Sequence, residues 1–103
     1  MNICGYTFEA PVELKNCDFL DFACVYAILC LTGGKYYLKD IGQTGEAETR
    51  LLNHDRKDCW ARNCDGILYV SILRMPSDRY TEKDRCVVES SIREDLKPPC
   101  GDR

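Results

Sequence analysis

The sequence predicts an α+β domain: a small three-stranded antiparallel sheet flanked by helices. Three observations predict it. Ala23–Leu31 reads ACVYAILCL, apolar on both faces, which is the pattern of a strand buried on both sides. Gly33-Gly34 follows at once and supplies a tight hairpin turn into Tyr36–Ile41. A further strand-like run, Ile67–Leu73 (ILYVSIL), stands between two stretches with helical spacing. The resulting order is β-β-α-β-α.

Each element has a local cause. Gly42 is expected to break the second strand. Thr44 or a neighbour can then N-cap a helix over about Gly45–Arg56, with Glu46 and Glu48 in the first turn where they oppose the helix dipole. Ala47, Leu51 and His54 fall at helical spacing on it. Asn63–Gly66 punctuates before the third strand. Pro76-Ser77-Asp78 reads as a helix start, and the helix over about Arg79–Leu96 is expected to turn Cys86, Val87, Ile92 and Leu96 toward the core. Pro98-Pro99 stops it. Residues 1–22, with apolar Tyr6, Phe8, Val12, Leu14, Phe19, Leu20 and Phe22, are expected to pack on the core as an N-terminal extension in strand or loop form. Residues 23–103 then form the domain proper.

A chain of 103 residues, 45% hydrophobic and 30% charged, can hold one two-layer core. Its net charge of −3 counts against strong independent DNA binding, which usually rests on a basic surplus, and leaves a local basic face open. Lys35, Lys39, Arg56, Lys57 and Arg62 could edge a DNA groove, with Trp60 and Tyr69 stacking on bases; the bland alternative is solvated charges and core aromatics. Met1–Glu13 shows no signal-peptide pattern and no run is long enough for a membrane span, so a cytoplasmic chain with reduced thiols is expected. The eight cysteines include one close pair, Cys59 and Cys64, and no second one, which argues against structural zinc. Cys24, Cys30 and Cys86 sit in apolar stretches and read as small hydrophobes.

The chemistry concentrates between Val25 and His54. Val25-Tyr26-Ala27 is followed by Gly34-Lys35 and by Asp40-Ile41-Gly42-Gln43-Thr44. Arg50 and His54 are four apart and share a helix face. Cys86-Val87-Val88-Glu89 precedes Leu96-Lys97-Pro98-Pro99. This ordered set, spanning about Ala23–Gly101, resembles the GIY-YIG nuclease superfamily. Val25-Tyr26-Ala27-Ile28 corresponds to the first motif and Asp40-Ile41-Gly42 to the second. In the favoured register the reactive tyrosine is Tyr26; in the other it falls on Ala27. Asp40 stands where the family usually has tyrosine.

The resemblance implies a metal-dependent DNA endonuclease. Tyr26 would act as general base toward water. Since a phenol holds its proton to about pH 10, a nearby cation must help it. Arg50 would clamp the scissile phosphate with its planar fork. His54 would hydrogen-bond the phenol or a phosphate oxygen, and Glu89 would hold Mg2+ or Mn2+. Asp40 completes the candidate set. DNA is the expected substrate, branched or damaged forms being among those it could take, with specificity drawn from DNA structure, a protein partner or homodimerisation. The alternative is a catalytically weak or inactive binding module on the same fold, which Asp40 and the negative charge favour.

Overall fold

The computed structural model describes residues 1–17, 22–47, 51 and 55–101. The fold is α+β with two antiparallel sheets. A small hairpin pairs β1 (Asn2–Ile3) with β2 (Tyr6–Thr7). Both of its turn residues, Cys4 and Gly5, have positive φ, as a two-residue turn of this hand requires. The main sheet contains β3 (Val12–Glu13), β4 (Cys24–Thr32), β5 (Lys35–Thr44) and β6 (Ile67–Arg74), in the spatial order β3-β6-β4-β5. The expected three strands are therefore four. The added strand comes from the N-terminal segment, where Val12 pairs with Val70 and Glu13 with Tyr69. The Glu9 amide also donates to the Ile72 carbonyl at 2.7 Å, and Ile3 and Phe8 are buried. Two-residue strands carry too little alternation to be recognised from periodicity.

β4 is central and pairs on both sides, so both its faces are covered and Cys24–Cys30 are all buried. Its odd-numbered residues Val25, Ala27 and Leu29 cluster with Ile41, Val88 and Ile92. Its even-numbered residues Cys24, Tyr26 and Ile28 cluster with Ala47, Leu51, Trp60 and Cys100. The β4–β5 hairpin turns at Gly33 and Gly34, both at positive φ, as the paired glycines predict.

β5 runs to Thr44, so Gly42 lies inside the strand and does not end it. The strand carries a bulge. Leu29 pairs with Leu38, but Ile28 pairs with Asp40, leaving Lys39 unpaired. One inserted residue reverses the side on which everything beyond it points. Because of it Asp40 stands beside Ile28 and Gly42 beside Tyr26, on the even face of β4.

Ala47 and Leu51 are helical and buried; the rest of the predicted 45–56 helix is only partly within the described residues, and residues 55 and 56 form a turn. A short helix, α1 (Lys57–Arg62), follows and buries Trp60. The last helix, α2, spans Glu82–Leu96 and begins later than Pro76-Ser77-Asp78 suggested. Its N-cap is Thr81, in a reciprocal capping box with Asp84, while Pro76 instead seeds a turn whose carbonyl accepts from Arg79 and Tyr80. Lys97, at left-handed φ, closes the helix before Pro98.

The buried face of α2 also differs from the expected one. It consists of Arg85, Val88, Glu89 and Ile92, whereas Val87 is 59% and Leu96 48% exposed. The spacing is an ordinary i, i+3, i+4, i+7 stripe. It is hidden because two of its four members are charged and are buried through partners on β5, on the helix itself and just after β6. Arg85 donates to the Gln43 side chain at 3.1 Å and to the Met75 carbonyl at 3.4 Å.

Four cysteines form two disulfides, Cys30–Cys64 and Cys59–Cys100, in place of the reduced thiols expected. Cys30 is thus a cross-link and not merely a small hydrophobe, and Cys59 and Cys64 bond to different distant partners. Their sequence separations of 34 and 41 residues carry no local signal. Cys4, Cys17, Cys24 and Cys86 are free. Among the described residues no helix is long and apolar enough to cross a membrane.

Burial pushes the Cys24 thiol up from 9.0 to about 12, against the opposing pull of Arg85 and Arg74. The sign follows directly. Above pH 9 the unfolded chain gives up this proton while the folded chain keeps it, so the folded state loses relative stability as the pH rises toward about 12. Urea denaturation at pH 8, 9.5 and 10.5 should show the wild type losing stability that Cys24→Ala does not lose. Parallel pH profiles for the two proteins would contradict the assignment.

Candidate active site at the edge of the sheet

The site is built on β5, the edge strand of the main sheet. Tyr26, at 0% exposure, reaches across from β4 and lies on Gly42. A Cβ at Gly42 would stand 2.3 Å from the Tyr26 hydroxyl and 2.4 Å from Cζ. Glycine is required here by space, since its φ is not positive. This contact ties the first and second motifs together physically: the tyrosine ring occupies the volume that the glycine leaves.

Asp40, two residues earlier on the same face, is fully buried. Its Oδ1 accepts from its neighbour's amide, Ile41 N, at 2.8 Å and from Arg93 Nη2 at 2.9 Å. Its Oδ2 accepts from Arg56 Nε and from the Trp60 indole, each at 2.7 Å. A buried carboxylate is tolerated only when charge and lone pairs are both matched, and these donors match both. Burial pulls the Arg56 pKa down, but the hydrogen bond and charge of Asp40, with smaller contributions from Tyr26 and Asp55, more than reverse it, so its guanidinium stays charged.

Glu89 joins the same group through α2. Its Oε2 lies 3.5 Å from Arg93 Nε, one helical turn away, and Glu89 is 2% exposed. Arg93 therefore bridges the two acids, and it also donates to the Ile41 and Cys100 carbonyls. Among the described residues, two carboxylates meet two guanidiniums here. The segment after α2 covers them: the Cys100 amide donates to the carbonyl of the bulged Lys39 at 3.0 Å.

Of the residues that sequence pattern singled out, Tyr26, Asp40 and Glu89 lie in this neighbourhood, linked through Gly42, Arg56 and Arg93. Arg50 and His54 lie outside the described residues. Of the residues that could edge a DNA groove, Arg56 is half-buried on Asp40, and Trp60 is the core aromatic of the bland alternative, its N–H used by the same acid. Arg93 belongs to none of the motifs, and its position four residues after Glu89 is its one readable signal, that of an ion pair. A cavity of about 570 Å³ beside Leu14, Leu51, Trp60 and Leu68 is lined by none of Tyr26, Asp40 or Glu89.

The donor chemistry bears on the implied metal. Among the described residues no group of three or more His, Cys, Asp or Glu side chains is placed to hold an ion. Glu89 is a hard oxygen donor of the type Mg2+ and Mn2+ take singly while keeping their waters. It fits such an ion as one ligand, and the guanidinium at 3.5 Å makes that binding weak. Compared with protein-family models, curated proteins and solved structures, the chain matches none.

Proposed function

We propose that this chain is a metal-dependent endonuclease of GIY-YIG type that hydrolyses DNA phosphodiesters at the β5 edge. One observation carries the reading: the Tyr26 ring lies on Gly42, in register, beside the acid and guanidinium groups of Asp40, Arg56, Arg93 and Glu89. On this reading Tyr26, ionised to the phenolate, takes the proton of the attacking water and becomes the neutral phenol. Arg56 is the nearby cation such a phenol needs. Arg50 clamps the phosphate and His54 supports it or the phenol. Glu89 would hold Mg2+ or Mn2+, which when bound stabilises negative charge on the leaving 3′ oxygen. Asp40 departs from the family tyrosine and acts as the counter-ion that fixes Arg56 and Arg93.

DNA is the proposed partner, with a second copy or another protein supplying specificity. A cytoplasmic setting follows from that substrate, and it gives the two disulfides a particular meaning, since bonds in that compartment are usually transient or redox-sensing.

Supercoiled, nicked, branched and single-stranded DNA should be incubated with Mn2+ or Mg2+. The wild type should cut at least one form. Glu89→Gln and Arg50→Ala should abolish cutting, and Tyr26→Phe, which keeps the ring packing, should slow it on the order of a hundredfold or more. Equal cutting by wild type and these variants, with folding verified by circular dichroism, would sink the reading.

A second reading is a non-catalytic binding module. It is favoured by the full occupation of the Asp40 oxygens and by Arg93 standing against Glu89. It predicts no metal-dependent cutting, and DNA binding that survives Glu89→Gln.

A further inference from the structure

The segment that follows α2 is a cover with few fastenings. Cys100 is 1% exposed and bonded to Cys59 of α1. Apart from that bond, the described fastenings are the Lys97 amide to the Arg93 carbonyl at 2.9 Å at the start of the segment, the Cys100 amide to the Lys39 carbonyl at 3.0 Å, Arg93 Nη1 to the Cys100 carbonyl at 2.8 Å, and a long contact of 3.6 Å from Asn63 Nδ2 to Cys100 Sγ. Gly101 lies directly on the charged cluster. A Cβ there would be 2.6 Å from Asp40 Oδ1, 2.8 Å from Arg93 Nη2 and 3.0 Å from Arg56 Cζ, and its φ of +76° suits glycine besides. The main chain at 100–101 therefore covers the side of both guanidiniums that faces it.

Beneath this cover Arg93 has a donor to spare. Its Nε is buried without a hydrogen-bond partner, 3.5 Å from Glu89 Oε2 and beyond good hydrogen-bonding distance. A buried unmatched guanidinium N–H is costly, and its persistence points to an acceptor absent from the closed arrangement.

We infer that Arg93 is an oxoanion-binding arginine and that the Cys59–Cys100 disulfide is the redox latch that keeps the 97–101 segment closed over it. The anion is taken to be a DNA phosphate, and in that respect alone the inference rests on the proposed phosphodiester reading. Opening requires a dithiol reductant. One thiolate attacks the Cys59 sulfur, on the half-buried side of the bond, and forms a mixed disulfide while Cys100 leaves as thiolate and takes a proton. The second thiol of the reductant closes its own disulfide and releases Cys59 as a thiol. Two electrons and two protons pass from the dithiol to the two cysteines. Once the segment lifts, Arg93 Nη1 loses the Cys100 carbonyl, and this end of the guanidinium can donate to a phosphate oxygen instead.

The test compares oxidised and dithiol-reduced wild type in the presence of a chelator, which separates binding from cleavage. A short fluorescein-labelled DNA serves as probe, read by anisotropy, and amide hydrogen exchange reports the latch. Reduction should speed exchange at the Cys100 amide at least tenfold while β4 amides stay protected, and should tighten probe binding at least fivefold. Cys100→Ser should show both properties without reductant and respond no further to it. Arg93→Gln should abolish the gain. Equal binding in the two redox states overturns the latch, as does loss of β4 protection in unreduced Cys100→Ser, where Cys30–Cys64 is intact, because the Cys59–Cys100 bond would then be a staple of the whole fold. Tighter binding on reduction with no metal-dependent cutting would keep the latch and remove the nuclease; cutting that ignores redox state would do the reverse.

Discussion

Replacing Asp40 by alanine is expected to destabilise the protein by about 3–5 kcal/mol, the cost of removing one partner from a buried ion pair. The carboxylate has no exposure and takes hydrogen bonds from Ile41 N, Arg93, Arg56 and the Trp60 indole. Alanine removes the acceptor that these donors share and leaves two positive charges facing one another across the gap. Arg56, with 28% of its side chain exposed, can recover water, so it contributes less to the loss than Arg93 at 12%. For a domain of this size the loss corresponds to a fall in Tm on the order of 12 °C or more. Asp40→Asn keeps an acceptor but not the charge and should fall between the two. Urea denaturation followed by Trp60 fluorescence and far-ultraviolet circular dichroism measures the effect. A loss under about 1 kcal/mol would mean that the cluster is solvated and that its hydrogen bonds are not essential to the fold.

Gly42→Ala is expected to cost about 1–3 kcal/mol, the usual range for overpacking a filled core. The new methyl would stand 2.3 Å from the Tyr26 hydroxyl, 2.4 Å from Cζ and 2.9 Å from Cε2, so either the ring or β5 must move. A fully buried ring on the central strand has little room to do so. The cause can be separated from backbone effects by a double-mutant cycle. Tyr26→Leu shortens the side chain beneath the new methyl, so the double variant Gly42→Ala/Tyr26→Leu should be more stable than the sum of the single losses allows. Additive losses would show that Gly42 is not held by the ring. The same displacement should also disturb any chemistry that depends on the phenol, so a loss of cutting in Gly42→Ala beyond that of Tyr26→Phe would support the proposed role of this edge.

The parts of this protein that its sequence determined by itself are those with a short-range cause. An apolar run on both faces made 24–32 a central strand, two glycines at positive φ made its hairpin, and Pro98 followed a helix that had ended. Tyr26, Gly42 and Glu89 could be singled out because their order along the chain survives translation into space. What only the tertiary structure decided was which side of an element faces what. The bulge at Lys39 turned Asp40 and Gly42 onto the Tyr26 face, a reversal that no alternation pattern announces. The inner face of α2 was set by Arg85 and Glu89, whose burial depends on partners that hydrophobic periodicity does not count. The pairing of Cys30 with Cys64 and Cys59 with Cys100 depended likewise on chain segments more than thirty residues apart. Periodicity reports the solvent a residue avoids; it is blind to a charge whose partner arrives from another strand, and the β5 edge is made of such charges.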